Sequence, residues 1–251
     1  MAYDFRSPHY CLNHAERHIQ SFSEEMKKFV DSSPFKRVME FDPNGPRDIH
    51  KIILEKEMPE ALSGISADIV LNLRASLDQS MHAIGMSFSG KGLNFPIRSG
   101  ENDFLGLKDR IVKRASEEIF NTIYSLNPYQ GGDNLLWEMN SLCNSQKHEI
   151  ITPIATYARM ESAYIKNIES SHNFSFPPKW DPENQQMILA IVDHRTEASI
   201  SGKIIYQIVI AKEGNLSGLP ALDVFKKMHE RTQKIVDALE QESTSLGIIS
   251  S

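Results

Sequence analysis

The sequence predicts an α+β fold, with a helical core of about five helices and two β-hairpins that form a small antiparallel sheet. Several long segments place apolar residues three or four positions apart, which is typical of amphipathic helices. Two pairs of β-leaning runs flank polar or turn-forming segments, which favours hairpins. Helices and strands come in separate blocks without strand–helix–strand alternation, so a doubly wound nucleotide-binding fold is not expected.

The helical segments follow from the apolar spacing. An amphipathic helix is expected over residues 7–30, followed by a long helix over residues 60–88 whose centre is apolar nearly all round. Residues 102–126 predict a more polar helix or helix pair. The last two predicted helices cover residues 134–157 and 220–240.

The predicted hairpins are marked by turn chemistry. Residues 35–41 and 49–56 flank the segment Asp-Pro-Asn-Gly-Pro. This segment predicts a turn, because glycine and proline supply backbone angles that a strand cannot adopt, so the two runs predict a hairpin. Residues 186–193 and 199–212 flank His-Arg-Thr-Glu-Ala and predict a second hairpin.

Composition indicates one globular domain over residues 1–251, in which the serine-rich end, residues 241–251, is expected to be frayed. The chain is 40% hydrophobic and has no internal repeat or composition break. No run approaches the roughly 20 apolar residues of a membrane span, and the first residues lack the features of a secretory signal. We therefore expect a cytoplasmic protein with no membrane partner, in which Cys11 and Cys143 are reduced thiols.

The net charge of −6 argues against broad electrostatic binding of nucleic acid. The basic cluster at residues 108–114 contains an aspartate and is followed by two glutamates, which is typical of a solvated helix face. Nucleic acid is therefore not a favoured partner.

Two short motifs are weak signals for a cofactor or a metal. The segment Gly85 to Gly92 matches the start of a phosphate loop, but it follows a helix and lacks the Ser or Thr that holds magnesium. It predicts a helix-ending loop, and no motif indicates a cofactor. Cys11, His14 and His18 share one face of the first helix, which leaves a zinc protein as a minor alternative.

Two core-type helices each carry a stripe of polar side chains. On the second helix, Arg74 and Asp78 are four residues apart, and His82 extends the same line. Asn72 lies on a neighbouring face of that helix. The helix that begins at residue 134 carries a similar stripe, formed by Asn140, Asn144, Lys147 and His148. Burying a charge costs several kcal/mol unless it is paired, so these groups either pair or line a cleft.

If the two helices pack together, the stripes form one polar seam. In a structural interpretation, the seam is a buried hydrogen-bond network that fixes the helix register. In a functional interpretation, His148 is the acid–base group, because imidazole titrates near neutral pH. Arg74 then stabilises an anion or a transition state, and Asp78 orients Arg74. Both interpretations stay open.

Three segments carry a resemblance to a known family, namely Asn72-Leu-Arg-Ala-Ser-Leu-Asp-Gln79, Asn94-Phe-Pro-Ile97, and Leu136-Trp-Glu-Met-Asn140 with Lys147-His148 after it. In order and spacing, over about residues 15–150, they resemble a widespread family of uncharacterised bacterial proteins. That family's pattern is Asn-Leu-Arg-Ser-Ala-Leu-Asp-His, then Phe-Pro-Ile, then Leu-Asn followed by Asp-Lys-His. His18 falls where the family shows a histidine. The resemblance locates a site without assigning an activity.

The family's Arg-x-x-x-x-His in turn resembles the signature of HEPN nucleases (higher eukaryotes and prokaryotes nucleotide-binding). In these helical domains, an Arg and a His on one helix support metal-independent RNA cleavage. This chain has Arg74, but Gln79 takes the histidine position. Glutamine cannot shuttle a proton at neutral pH, so cleavage of that type would need His82 or His148.

The sequence thus predicts a binding or interaction protein with a polar seam, whose candidate residues are His18, Asn72, Arg74, Asp78, Asn140, Lys147 and His148. The alternative is an enzyme, either an HEPN-like nuclease or one acting on a phosphate or nucleotide, that uses Arg74 and His148. The expected partner is a small anionic ligand or another protein, and the sequence is compatible with a homodimer.

Overall fold

A computed structural model of the protein describes residues 3–145, 154–166, 180–181, 183–194, 199–211 and 214–249. These residues confirm the α+β class, because they form seven α-helices and two antiparallel sheets. The larger sheet has four strands and the smaller one has two.

The helices are α1 (Arg6–Asp31), α2 (Glu60–Ser89), α3 (Glu101–Leu105), α4 (Lys108–Ala115), α5 (Glu117–Ser125), α6 (Asn134–Ser145) and α7 (Ala221–Ser245). The first two confirm the predicted helices to within one residue at each end. The polar segment predicted over residues 102–126 is three short helices. Ser116, at a φ of 104°, separates α4 from α5, and its hydroxyl accepts a hydrogen bond from the Ile119 N–H.

The strands are β1 (Phe35–Phe41), β2 (Arg47–Leu54), β3 (Ile154–Lys166), β4 (Trp180–Asp181), β5 (Gln186–Asp193) and β6 (Ser199–Ile210). Strands β1 and β2 pair antiparallel, which confirms the first predicted hairpin. The four-stranded sheet has the order β1-β2-β5-β4, and β3 pairs with β6 in the second sheet.

The second predicted hairpin is wrong in its pairing, because β5 pairs with β2 and β4 while β6 pairs with β3. Alternating apolar residues specify a strand but not its neighbour. The neighbour is chosen by a small hydrophobic cluster, in which Ile52 of β2 lies opposite Met187 of β5 and both are fully buried beside Trp180.

The helix predicted over residues 134–157 is wrong in its last four residues. Helix α6 is described as far as Ser145, whereas residues 154–157 belong to β3, where Ile154 lies opposite Ile210 of β6. Short apolar runs fit a helix or a strand equally well by periodicity, so the pairing partner decides between them.

Helix α2 lies at the centre of the largest hydrophobic core and packs against α1, α4, α6 and α7. Its buried face includes Leu73, Leu77 and Met81, all fully buried. Phe22 of α1 meets Phe225 of α7 edge to face, with ring centroids 5.3 Å apart. This packing holds α2 in place from several sides.

The end of the chain is packed over its described part. Helix α7 continues to Ser245, and Ser243 is fully buried within it. The backbone N–H of Ile248 donates to the carbonyl of Ser243, and Ile249 is buried in the core. The fraying predicted from residue 241 stays a prediction, while through residue 249 the described chain places Ile249 in the core.

Within the described ranges, no helix combines the length and the apolar character needed to cross a lipid bilayer.

The central position of α2 predicts that two leucines on it differ sharply in their effect on stability. Leu73→Ala should lower the free energy of unfolding by about 2–5 kcal/mol, because a fully buried side chain leaves a cavity. Leu71→Ala, whose leucine is 45% exposed on the same helix, should change it by less than about 0.5 kcal/mol. Urea unfolding of the two variants measures both values, and equal losses would contradict the packing of α2.

Candidate functional site

An ion pair on α2 joins this helix to the loop that follows it. The Arg74 guanidinium donates to both carboxylate oxygens of Asp78, from Nε at 3.1 Å and from Nη2 at 2.8 Å. The same Nη2 donates to the Phe95 carbonyl at 2.8 Å, and the Phe95 N–H donates to Asp78 Oδ1 at 2.9 Å. The i, i+4 spacing on α2 places the two side chains on one face, and Phe95 satisfies both of them.

Beside this ion pair lies a cavity of about 380 Å³, which we call the arginine cavity. Its walls come from α2, from the loop after α2, from α4 and from α6. They are formed by Arg74, residues 92–98, Leu107, Arg110, Ile111, Asn140 and Asn144. The predicted polar stripes of α2 and α6 therefore meet at a cavity, with Arg74 on one wall and Asn140 on another.

Two guanidinium nitrogens at this cavity are buried without a partner. Nη1 of Arg74 and Nε of Arg98 are shielded from solvent and form no hydrogen bond within the described part of the chain. A buried donor without an acceptor costs about 1–3 kcal/mol, and more when the group is charged. Such a cost at two arginines of one cavity points to an acceptor outside the described part of the chain.

The charge at the cavity is positive. Three arginines line it, Arg74, Arg98 and Arg110, and no acidic residue lies among its described lining residues. Asp78 offsets the charge of Arg74 from beside the cavity. The side-chain amide of Asn140 can donate further hydrogen bonds. The walls therefore combine a net positive charge with N–H donors, which is the chemistry that recognises an oxyanion.

The structure brings some of the predicted site residues together and separates others. Arg74 and Asn140 line the arginine cavity, and Asp78 holds Arg74. Asn72 lies elsewhere, since its amide donates to the Asp68 carbonyl one turn earlier on α2.

Three further predicted residues do not join the described site. His18 lies on α1 beside His14, with ring centroids 6.3 Å apart. Lys147 and His148 lie outside the described residues, so their predicted roles stay predictions.

Arg98 and Arg110 are functional candidates that the sequence did not single out. Arg98 is held by backbone hydrogen bonds to Pro128 and Gln130, at 3.0 and 2.9 Å. Arg110 belongs to the basic cluster that predicts a solvated helix face, and it is exposed, yet it lines the cavity. Arg98 directly follows Phe-Pro-Ile, so its position beside that motif was the available signal.

The predicted zinc alternative finds no support in the geometry of its residues. Cys11 is buried, and burial raises the pKa of its thiol, which disfavours the thiolate that a metal needs. Among the described residues, the potential metal ligands that lie close together are a different set, His9, Asp237 and Glu240. Nε2 of His9 and Oε2 of Glu240 lie 2.7 Å apart, so an ordinary hydrogen bond accounts for that pair.

The segment that matches the start of a phosphate loop ends a helix. Gly90 caps α2 in the left-handed conformation, at a φ of 69°, and no helix begins directly after it.

Comparison of the chain with family models, with curated proteins and with solved structures finds no match.

The close packing of α2 against the next loop predicts opposite effects for two glycines of this helix. A Cβ at Gly85 would lie 2.6 Å from the Lys91 carbonyl oxygen and 3.2 Å from the Leu93 nitrogen, so Gly85→Ala must displace the loop. We expect a loss of about 1–3 kcal/mol in unfolding free energy. A Cβ at Gly64 would have no atom within 4 Å, so Gly64→Ala should raise the free energy of unfolding by about 0.4–1 kcal/mol. Thermal unfolding distinguishes the two, and equal stability would mean that the loop does not press on α2.

The ion pair at the cavity predicts a larger effect than an exposed pair does. Asp78→Asn keeps the side-chain shape but removes the charge that balances Arg74, so we expect a loss of about 1.5–3 kcal/mol in unfolding free energy. Glu55→Gln breaks the exposed pair with Lys36 and should cost at most about 1 kcal/mol. Urea unfolding in low and high salt tests this, and the Asp78→Asn loss should persist in high salt.

Proposed function

We propose that the protein binds an oxyanion of the phosphate type in the arginine cavity. The observation that carries this proposal is the pair of buried, unpartnered nitrogens, Nη1 of Arg74 and Nε of Arg98. Both arginines line the cavity, where the oxygen atoms of a bound anion would accept hydrogen bonds from their guanidinium groups. The proposal gives the predicted seam the role of a ligand-binding site.

The physics of the cavity favours an anion over a neutral ligand. Guanidinium groups hold phosphate and carboxylate through paired N–H donors, and their attraction to an anion strengthens where water is excluded. Asp78 occupies Nε and Nη2 of Arg74, which leaves Nη1 for another acceptor. The Asp78 carboxylate therefore both orients Arg74 and limits which of its donors can meet a ligand.

Binding is favoured over catalysis by the described walls. The polar side chains that line the cavity are arginine and asparagine, which do not exchange protons near neutral pH. The enzyme alternative requires an acid–base group such as His148 and stays a separate prediction. A phosphorylated ligand fits the cytoplasmic location that the sequence predicts.

The test is calorimetric titration of the protein with inorganic phosphate. Arg98→Ala should weaken binding by about tenfold or more, because it removes a charged donor in a desolvated position. Asn140→Asp, which changes little in size, should abolish binding because it places a carboxylate in the cavity wall.

A matched control separates local binding from overall charge. Arg110→Ala removes an exposed arginine at the cavity, and Arg17→Ala removes an exposed arginine on α1. Both change the net charge equally, so a specific site predicts weaker phosphate binding for Arg110→Ala alone. If wild type shows no phosphate binding, or if Arg98→Ala and Arg17→Ala behave alike, the proposal is wrong.

A further inference from the structure

A second cavity, of about 470 Å³, shares Arg110 with the arginine cavity. We call it the lysine cavity, and it is lined by Ser89, Lys91, Asp109, Arg110, Lys113 and Arg114. Four of these six residues are cationic and one is acidic. A chain with a net charge of −6 thus gathers several of its cations at one place.

The two cavities are neighbours along the same two segments of chain. Lys91 lines the lysine cavity, while Gly92, the next residue, lines the arginine cavity. On α4, Arg110 lines both cavities, and Lys113 is about one helical turn further on, a rise of roughly 5 Å along the axis. The side chain of Arg110 therefore stands at the boundary between them.

Most of the lysine-cavity cations are available to a ligand. Within the described part of the chain, no hydrogen bond or ion pair engages the side chains of Lys91, Arg110 or Lys113. Arg114 Nη1 donates to the Gly92 carbonyl at 3.3 Å, which ties α4 to the loop between the cavities. Lysines bind phosphate as point charges, whereas the arginines of the neighbouring arginine cavity offer N–H donors in a fixed geometry.

The geometry points to a ligand that carries two or more phosphates linked in one small molecule, as in a pyrophosphate or tripolyphosphate chain. One phosphate occupies the arginine cavity, Arg110 contacts the link, and the next phosphate reaches Lys91 and Lys113. This inference rests on the proposed function, because the first phosphate sits in the site proposed there. It adds the ligand class, since one phosphate would leave the lysine cavity without a role.

The experiment compares orthophosphate, pyrophosphate and tripolyphosphate by calorimetry, without divalent metal and at about 150 mM salt. For wild type we expect tripolyphosphate to bind at least about tenfold more tightly than orthophosphate. Lys113→Ala should reduce that preference about threefold to tenfold and leave orthophosphate binding within twofold, because Lys113 does not line the arginine cavity. Lys227→Ala, which removes an exposed lysine on α7, should leave both unchanged.

The outcomes separate this inference from the proposed function. Absence of orthophosphate binding, or no effect of Arg98→Ala, overturns the proposed function and this inference with it. Orthophosphate binding that depends on Arg98, without any preference for the longer chains, overturns this inference alone. Equal losses for Lys113→Ala and Lys227→Ala also overturn it, because the preference would then reflect overall charge.

Two further arms define the source of the linked phosphates. If ADP binds at least as tightly as pyrophosphate and depends on Lys113 in the same way, the inference is supported and the ligand is a nucleotide. If pyrophosphate binds and ADP does not, the inference is supported and the ligand is an inorganic polyphosphate. A single-stranded oligonucleotide that binds more tightly than tripolyphosphate overturns the small-molecule class, since its phosphates are spread along a backbone.

Discussion

The arrangement of the site depends on the ion pair between Arg74 and Asp78. Its two charges lie on the central helix, mostly removed from solvent, and the backbone of Phe95 contributes one donor and one acceptor to them. The pair therefore fixes the loop after α2 as well as the arginine. Because that loop forms one wall of the arginine cavity, the same interaction that stabilises the fold also shapes the site.

A fully satisfied network would have made this polar seam purely structural. The hydrogen bonds of Asp78 and Phe95 use Nε and Nη2 of Arg74, and the seam is closed on that side. Nη1 of Arg74 and Nε of Arg98, which belong to two residues that line the cavity, have no acceptor within the described part of the chain. The structural and functional interpretations of the seam thus apply to different atoms of one side chain, since an arginine offers more donors than one carboxylate can accept.

The proposed binding of a small anion rests on local charge rather than on net charge. The chain is acidic overall, yet Arg110, Lys113 and Arg114 follow one another on α4 and face two adjoining cavities. At physiological ionic strength, charges beyond about 8 Å are largely screened, so distant carboxylates weaken the attraction at the cavities very little. The proposed ligand, a small multiply charged anion, would contact only this basic surface, whereas a long polyanion would also meet the acidic remainder of the chain.

The sequence by itself determined the fold class, the two long helices, the first hairpin and the Arg74–Asp78 pair, because each depends on spacing within one segment. Only the tertiary structure decided the partners of β5 and β6, the strand at residues 154–157, and the presence of Arg98 and Arg74 at one cavity. These depend on contacts between segments far apart in the chain, and burial chooses among partners that local patterns leave equivalent. Arg98 illustrates the reason, since its position after Phe-Pro-Ile hints at a site, but the burial of its Nε appears only in the folded chain.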